Sequence, residues 1–106
     1  MARKEVIELL RKYLLLLNSE GISVKKAFLF GSYSDDTANE NSDIDIMIVS
    51  DLYNEQDDQI IGKIWDLTRK ISTKIEPFLI GTKKFTEDNT SPLINMIKTK
   101  GIEIVL

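Results

Sequence analysis

"LFGSYSDDTANENSDIDIMIVS" runs from Leu29 to Ser50. Two carboxylates, Asp43 and Asp45, stand one residue apart at the mouth of the run Ile44 to Val49, which reads as a central strand. The preceding run, Val24 to Phe30, reads as another strand, closed by the pair Gly31 and Ser32. Between them, Ser32 to Ser42 is polar and turn-rich. Strand side chains alternate, so Asp43, Asp45 and Met47 share one face while Ile44, Ile46 and Ile48 take the other. Two neighbouring ionised carboxylates raise each other's pKa, a cost in a half-buried strand unless a positive charge lies between them. The segment has no His or Arg, so a divalent cation is the natural partner. Carboxylate oxygens suit Mg²⁺ or Mn²⁺, which also take phosphate oxygens as ligands.

Glu76, in the apolar stretch "KIEPFLI", is a third acid of this kind. If its strand neighbours Ile44–Val49, Glu76 reaches the same ions. Metals held by three carboxylates clamp the attacking and leaving oxygens of an in-line phosphoryl transfer. Glu76 is also placed to accept the proton of an attacking hydroxyl or to orient it. At the other end of the motif, Gly31 has no Cβ to keep a phosphate from the backbone, and Ser32 offers a hydroxyl and an N–H to phosphate oxygens.

The rest of the chain supplies the frame. Val6, Ile7, Leu10, Tyr13, Leu14 and Leu17 fall at helical spacing over Arg3 to about Asn18. Leu15 and Leu16 make the end of that helix apolar nearly all round, which predicts that it is well covered. Asn18-Ser19-Glu20-Gly21 is a helix stop. Asn54 and Asp57 read as a capping pair opening a second helix, whose buried face is Ile60, Ile61, Ile64, Leu67, Thr68 and Ile71. Lys74 to Ile80 reads as a strand that Pro77 confines to an edge or a bulge. Ser91-Pro92 is a cap with a first-turn proline, opening a short helix to about Thr99 that Gly101 closes. Ile102 to Leu106 reads as a last short strand. The expected order is α-β-β-α-β-α-β, an α/β (α+β) fold with a mixed four-stranded sheet and helices packed on it, forming one domain over residues 1–106.

Composition narrows the chemistry. The 106 residues are 42% hydrophobic and 29% charged, which suits a folded globular chain rather than a disordered one. A domain of this size has little room for a second substrate-binding lobe, so a large second substrate calls for a partner's surface. With no Cys and no His, there are no thiolate nucleophiles, no imidazole bases and few routes to a zinc site. The net charge of −3 gives no basic excess for reading a nucleic-acid duplex, so sequence-specific nucleic acid is not expected. No apolar run is long enough for a bilayer, and the N-terminus lacks a signal pattern; a cytoplasmic protein is expected.

Gly31-Ser32, ten residues and Asp43-Ile44-Asp45 resemble the signature of the DNA polymerase beta-like nucleotidyltransferase superfamily. The resemblance extends to Ser42 before the first Asp, to Glu76 and to the ending "SPLINMIKTKGIEIVL", and so covers nearly the whole chain. Within the superfamily it is similar to the minimal nucleotidyltransferase branch. The resemblance implies binding of a nucleoside triphosphate such as ATP with Mg²⁺ (or Mn²⁺) and transfer of a nucleotidyl group to a hydroxyl, releasing pyrophosphate. It implies Gly31 and Ser32 on the phosphates, and Asp43, Asp45 and Glu76 as metal-holding catalytic residues. Short members are often antitoxins, paired with a helical HEPN-type toxin that some of them silence by adenylylating a tyrosine. One departure stands out. The family commonly carries a small residue, Arg and Gly after the Gly-Ser-x start, where this chain has Ser34, Asp35 and Asp36.

Each feature also has a plain structural reading. Gly31 can simply end a strand, Asp43 and Asp45 can be solvent-facing at a strand start, and Glu76 can be an exposed edge residue. Tyr33 reads as a surface-loop residue, Trp65 as packing or interface, and Lys83 with Lys84 as a solvated turn. Three functional readings follow: a nucleotidyltransferase acting on a partner protein, a catalytically impaired chain that neutralises its partner by occlusion, and a nucleotide-sensing module working in trans.

Overall fold

The computed structural model describes residues 1–51 and 58–106. The expected cap at Asn54 and Asp57 lies outside the described residues. Helix α1 spans Arg3–Ser19 and buries Val6, Leu10, Tyr13, Leu14 and Leu17, the predicted stripe. It ends in a Schellman arrangement, in which Gly21 N–H donates to the Asn18 carbonyl at 3.1 Å and Ile22 N–H to the Leu17 carbonyl at 2.9 Å. Gly21 sits at φ +85°, the left-handed conformation this motif needs. Contrary to expectation, Leu15 is not covered and remains 56% exposed. It falls between the buried residues Leu14 and Leu17, on the side of the helix turned away from the sheet.

Strands β1 (Lys26–Phe30), β2 (Ile44–Ser50), β3 (Ile75–Gly81) and β4 (Ile102–Glu103) form one mixed sheet in the order β3-β2-β1-β4. β1 runs antiparallel to both β2 and β4, and β2 pairs parallel with β3. The parallel pair is joined through helix α2 (Asp58–Thr68). β3 is an edge strand, so Pro77, which lacks an N–H, leaves no ladder bond unmade in the sheet interior. β1 and β4 are shorter than expected: Val24 N–H donates to the side chain of Asn18 rather than to a strand, and Val105 and Leu106 are exposed beyond β4.

The sheet is covered on both faces. On one, Ala27, Leu29, Ile44, Ile46, Ile48 and Ile75 pack with α1 and with Ile64 and Leu67 of α2. On the other, Phe28, Phe30, Met47, Val49 and Ile80 pack under Phe85, Ile94 and Ile97. Phe85 belongs to a helix the sequence reading missed, α3 (Thr82–Glu87); Ile94 and Ile97 belong to α4 (Pro92–Lys100). Lys83 and Lys84 thus stand exposed on a helix rather than in a turn. The cap of α4 is as expected, with Ile94 N–H donating to Ser91 Oγ at 3.2 Å and proline at the start.

Tyr13 ties α1 to α2: its fully buried phenol donates to the Ile64 carbonyl at 2.7 Å. Burial pushes its pKa up, so it stays protonated and remains a donor. Tyr13→Phe removes one buried hydrogen bond without opening a cavity. It is expected to lower the unfolding free energy by about 1 kcal/mol, with an unchanged denaturant slope in urea titration.

Candidate functional site

The register between strands decides where the acids meet. Asp45 is paired in register with Glu76 of β3 on one side and with Phe30 of β1 on the other. One residue beyond Phe30 is Gly31, and one residue before β2 is Asp43. Strand neighbours lie about 4.8 Å apart. The Gly-Ser bend, Asp45 and Glu76 therefore form a row across one end of the sheet, on the face that carries α3 and α4. Asp43, two residues from Asp45, projects from the same face just outside the sheet. Asp43 is exposed, while Asp45 and Glu76 are half-buried.

The three carboxylates feel one another. The Asp45 carboxyl is pushed above its ordinary value by burial and by the charge of Asp43, partly offset by a hydrogen bond with Glu76. Glu76 is pushed up by burial first, then by the charge of Asp43, by the hydrogen bond to Asp45 and by the charge of Asp45. The interaction between the two lowers Asp45 and raises Glu76, while the charge of Asp43 raises both. No cation figures among the causes of either shift. Among the described residues, no group of three such side chains is already posed around a metal position. The donor set is still the right kind for a hard divalent ion: carboxylates only, crowded, and uncompensated.

Gly31 has a nearer reason to be glycine than phosphate access. Its φ is +77°, and a Cβ built there would lie 2.5 Å from Asp45 Oδ2. The missing side chain leaves room for the Asp45 carboxylate in the row. Gly31 opens a single 3₁₀ turn, Gly31–Tyr33, to which Ser32 contributes its carbonyl as the acceptor of Thr37 N–H at 3.0 Å. Among the described residues the Ser32 hydroxyl takes no hydrogen bond. Tyr33, expected on the surface, is instead buried at 4% exposure in the α1 side of the core. A turn this tight directs its third side chain back under the sheet, and apolar periodicity cannot register a lone aromatic in a polar loop.

Arg3 is the residue that sequence reading missed. From the first turn of α1 its Nε donates to the Tyr33 carbonyl at 2.9 Å, and its Nη2 donates to the Ser34 carbonyl at 3.1 Å and to Asp36 Oδ1 at 2.6 Å. Asp36 takes φ +63°, the left-handed region, at the position where the superfamily commonly has glycine. Asp35 accepts from Thr37 N–H and Oγ1 within the loop, and these bonds hold its carboxyl below the usual range. Both loop acids are exposed and engaged, one by Arg3 and one by Thr37. No sequence signal linked residues thirty-odd positions apart.

Two predictions follow from this geometry. Arg3→Ala releases the loop without touching the core. It is expected to speed amide exchange at Ser34, Asp35 and Thr37, whose N–H groups bond within the turn, while costing less than about 1 kcal/mol of global stability. In divalent-free buffer, Asp45 and Glu76 bind protons more tightly folded than unfolded. Their contribution is fully present below the ordinary carboxyl range and is lost as pH rises through it towards their raised folded values. Urea titrations at a series of pH values are expected to show stability falling over that window, with a shallower fall in Asp45→Asn.

The comparisons agree with this architecture. A family model described as "Nucleotidyltransferase domain" matches residues 7–100. No curated protein matches the chain in sequence. Among solved structures, a Sulfolobus solfataricus protein assigned as a nucleotidyltransferase superposes with a TM-score of 0.65 at 14% identity, over 95% of this chain and 80% of that one. At that identity the match speaks for the fold, a mixed four-stranded sheet with helices of the nucleotidyltransferase type. The family match spans the Gly-Ser bend and all three acids of the row, and with it the chain belongs to the nucleotidyltransferase domain family.

Proposed function

We propose that this chain is a divalent-metal-dependent nucleotidyltransferase that moves AMP from ATP to a hydroxyl on a partner protein. The observation that supports it most is the carboxylate row: Asp43, Asp45 and Glu76 crowd one face beside a Gly-Ser bend, and no cation among the described residues figures in the shifts of Asp45 and Glu76. In this reading the three acids hold Mg²⁺ or Mn²⁺, which would neutralise charge on the transferring phosphoryl group. Gly31 and Ser32 receive the triphosphate at the β1 end of the row, where the Ser32 hydroxyl is available as a donor. Glu76, at the β3 end, takes the proton of the attacking hydroxyl.

The finer reading makes the chain a minimal nucleotidyltransferase of antitoxin type, with a HEPN-type helical toxin as partner and a tyrosine of that toxin as acceptor. Its support is the motif spacing together with the absence of any basic excess that would favour a nucleic-acid acceptor. One observation favours the rival reading, occlusion without turnover: Asp35 places an anion where the family commonly places an arginine. The pairing of both loop acids, one with Arg3 and one with Thr37, weighs against it.

The deciding measurement is mass spectrometry of the partner after incubation with ATP and Mg²⁺. Wild type is expected to add AMP units to the partner. Asp45→Asn, which keeps the shape but removes a charge from the row, is expected to lower the rate by 10²-fold or more, an order of magnitude typical of losing a group that acts on the transition state. Tight complex formation with no mass gain by the wild type would transfer the case to occlusion.

A further inference from the structure

The sheet face that carries α3 and α4 has a second end, away from the acids, where β1 begins and β2 stops. There a groove of about 500 Å³ opens between the two strands and the two helices. Asp45 and Val49 are four residues apart on β2, about 13 Å along the strand. None of the groove's residues belongs to the acid row or to the Gly-Ser bend. Its floor is apolar: Phe28, Val49 and Phe85 line it, each no more than 9% exposed. The rings of Phe28 and Phe85 stack with centroids 5.2 Å apart.

The rim is cationic in a chain whose net charge is −3. Lys25, Lys26 and Lys98 stand around the groove, against one lining acid, Glu103. Lys25 is partly engaged: it faces Asp51 at 3.6 Å, and that carboxyl is held below its usual range by the Thr82 hydroxyl first and then by Lys25. Both side chains of this pair are about half-exposed, so solvent screens it. Lys26, Lys98 and Glu103 form no ion pair among the described residues. The Lys98 ammonium instead lies over the Phe85 ring, 5.1 Å from its centroid. Ammonium groups above an apolar floor suit a molecule with the same two halves, a flat apolar body and a compact anion. Flexible lysine stems let Lys26 and Lys98 swing onto one dianion, and the exposed Thr86 adds a hydroxyl. When Lys98 moves to the anion, it frees the Phe85 ring for the ring of the ligand. The volume is that of a small-molecule site. An extended peptide would need a free sheet edge, and β1 and β2 are both interior strands.

We propose that this groove is a ligand site in its own right, remote from the acid row, for a small aromatic phosphate monoester. Phe28, Val49 and Phe85 receive the ring, and Lys26 and Lys98 receive the phosphate. Glu103 opposes the same anion and sets a limit on its affinity. The site stands whether or not the acid row transfers nucleotides, since the two share no residue.

The test is an amide NMR titration of the full chain with phenyl phosphate, in low-salt buffer free of divalent ions. Shifts are expected at Lys26, Phe28, Phe85, Thr86 and Lys98, and not at Gly31, Ser32 or Asp45. Phenyl phosphate is expected to bind about fivefold or more tightly than inorganic phosphate, the difference being the ring on the apolar floor. Lys26→Gln and Lys98→Gln are each expected to raise the Kd about threefold or more, and Glu103→Gln to lower it about twofold. All three side chains are exposed, so the fold is expected to hold, with a wild-type urea midpoint. Should Lys98→Gln loosen the packing on Phe85, Lys26→Gln and Glu103→Gln still decide the matter by their opposite signs. No shift at the groove, shifts confined to the Gly-Ser bend, or inorganic phosphate binding as tightly as phenyl phosphate overturns the proposal. So does a wild-type Kd in both lysine variants, or a Glu103→Gln variant that binds no more tightly than wild type.

Discussion

Like charges do not gather at a strand end unless something stronger holds them there. Here the holding force is the apolar packing of β2. Ile44, Ile46 and Ile48 are fully buried against α1 and α2, and Met47 and Val49 are buried against α3 and α4. A slip of one residue would turn the isoleucines to the wrong face and expose them, a loss of several buried side chains at roughly 1.5–3 kcal/mol each. Against that, the mutual repulsion of half-exposed carboxylates is the smaller term. The core fixes the register, and the register places Asp45 between Phe30 and Glu76.

The Gly-Ser bend depends on the same constraint. Asp45 occupies the space where a Gly31 side chain would be, so the bend and the acid row fit only together. The loop that follows carries two anions, which in isolation would make a poor neighbour for a triphosphate. Arg3 changes that account. It reaches from the start of α1 to hold two loop carbonyls and Asp36, so the cation missing from the loop's own sequence is supplied from elsewhere in the chain. Asp36 adopts a backbone conformation that glycine favours, and its ion pair with Arg3 helps offset that strain.

Much of this was legible from the residues. The strand alternation around Asp43 and Asp45, the placement of Pro77 on an edge strand, the Ser91-Pro92 cap and the helix stop at Gly21 each rest on local chemistry, and each is found in the fold. What was not legible is non-local or too short to show a period. Helix α3 is 6 residues long, less than two turns, and gives no helical repeat to detect. Tyr33 is buried because a single 3₁₀ turn aims it inward, not because its neighbours are apolar. Leu15 is exposed although its neighbours are buried, since apolar character alone does not say how wide a stripe the sheet can cover. Of the site, the adjacency of the strands that carry Asp45 and Glu76 was expected from the sequence and is found, whereas their register and the arginine clamp on the loop required coordinates.

The openness of the row bears on how nucleotidyl transfer would be protected from water. Asp43 is exposed, and Asp45 and Glu76 are only half-buried. A reactive phosphoryl group held there by metal would be within reach of solvent, and hydrolysis would compete with transfer. On the proposed reading, specific transfer would need a second surface to close the β3 end. An acceptor that is itself a folded protein meets this need in the act of docking: the surface that brings the hydroxyl also expels the water. A small free alcohol would bring the nucleophile and leave the site wet. On the proposed reading, the half-open row would suit a macromolecular acceptor better than a metabolite.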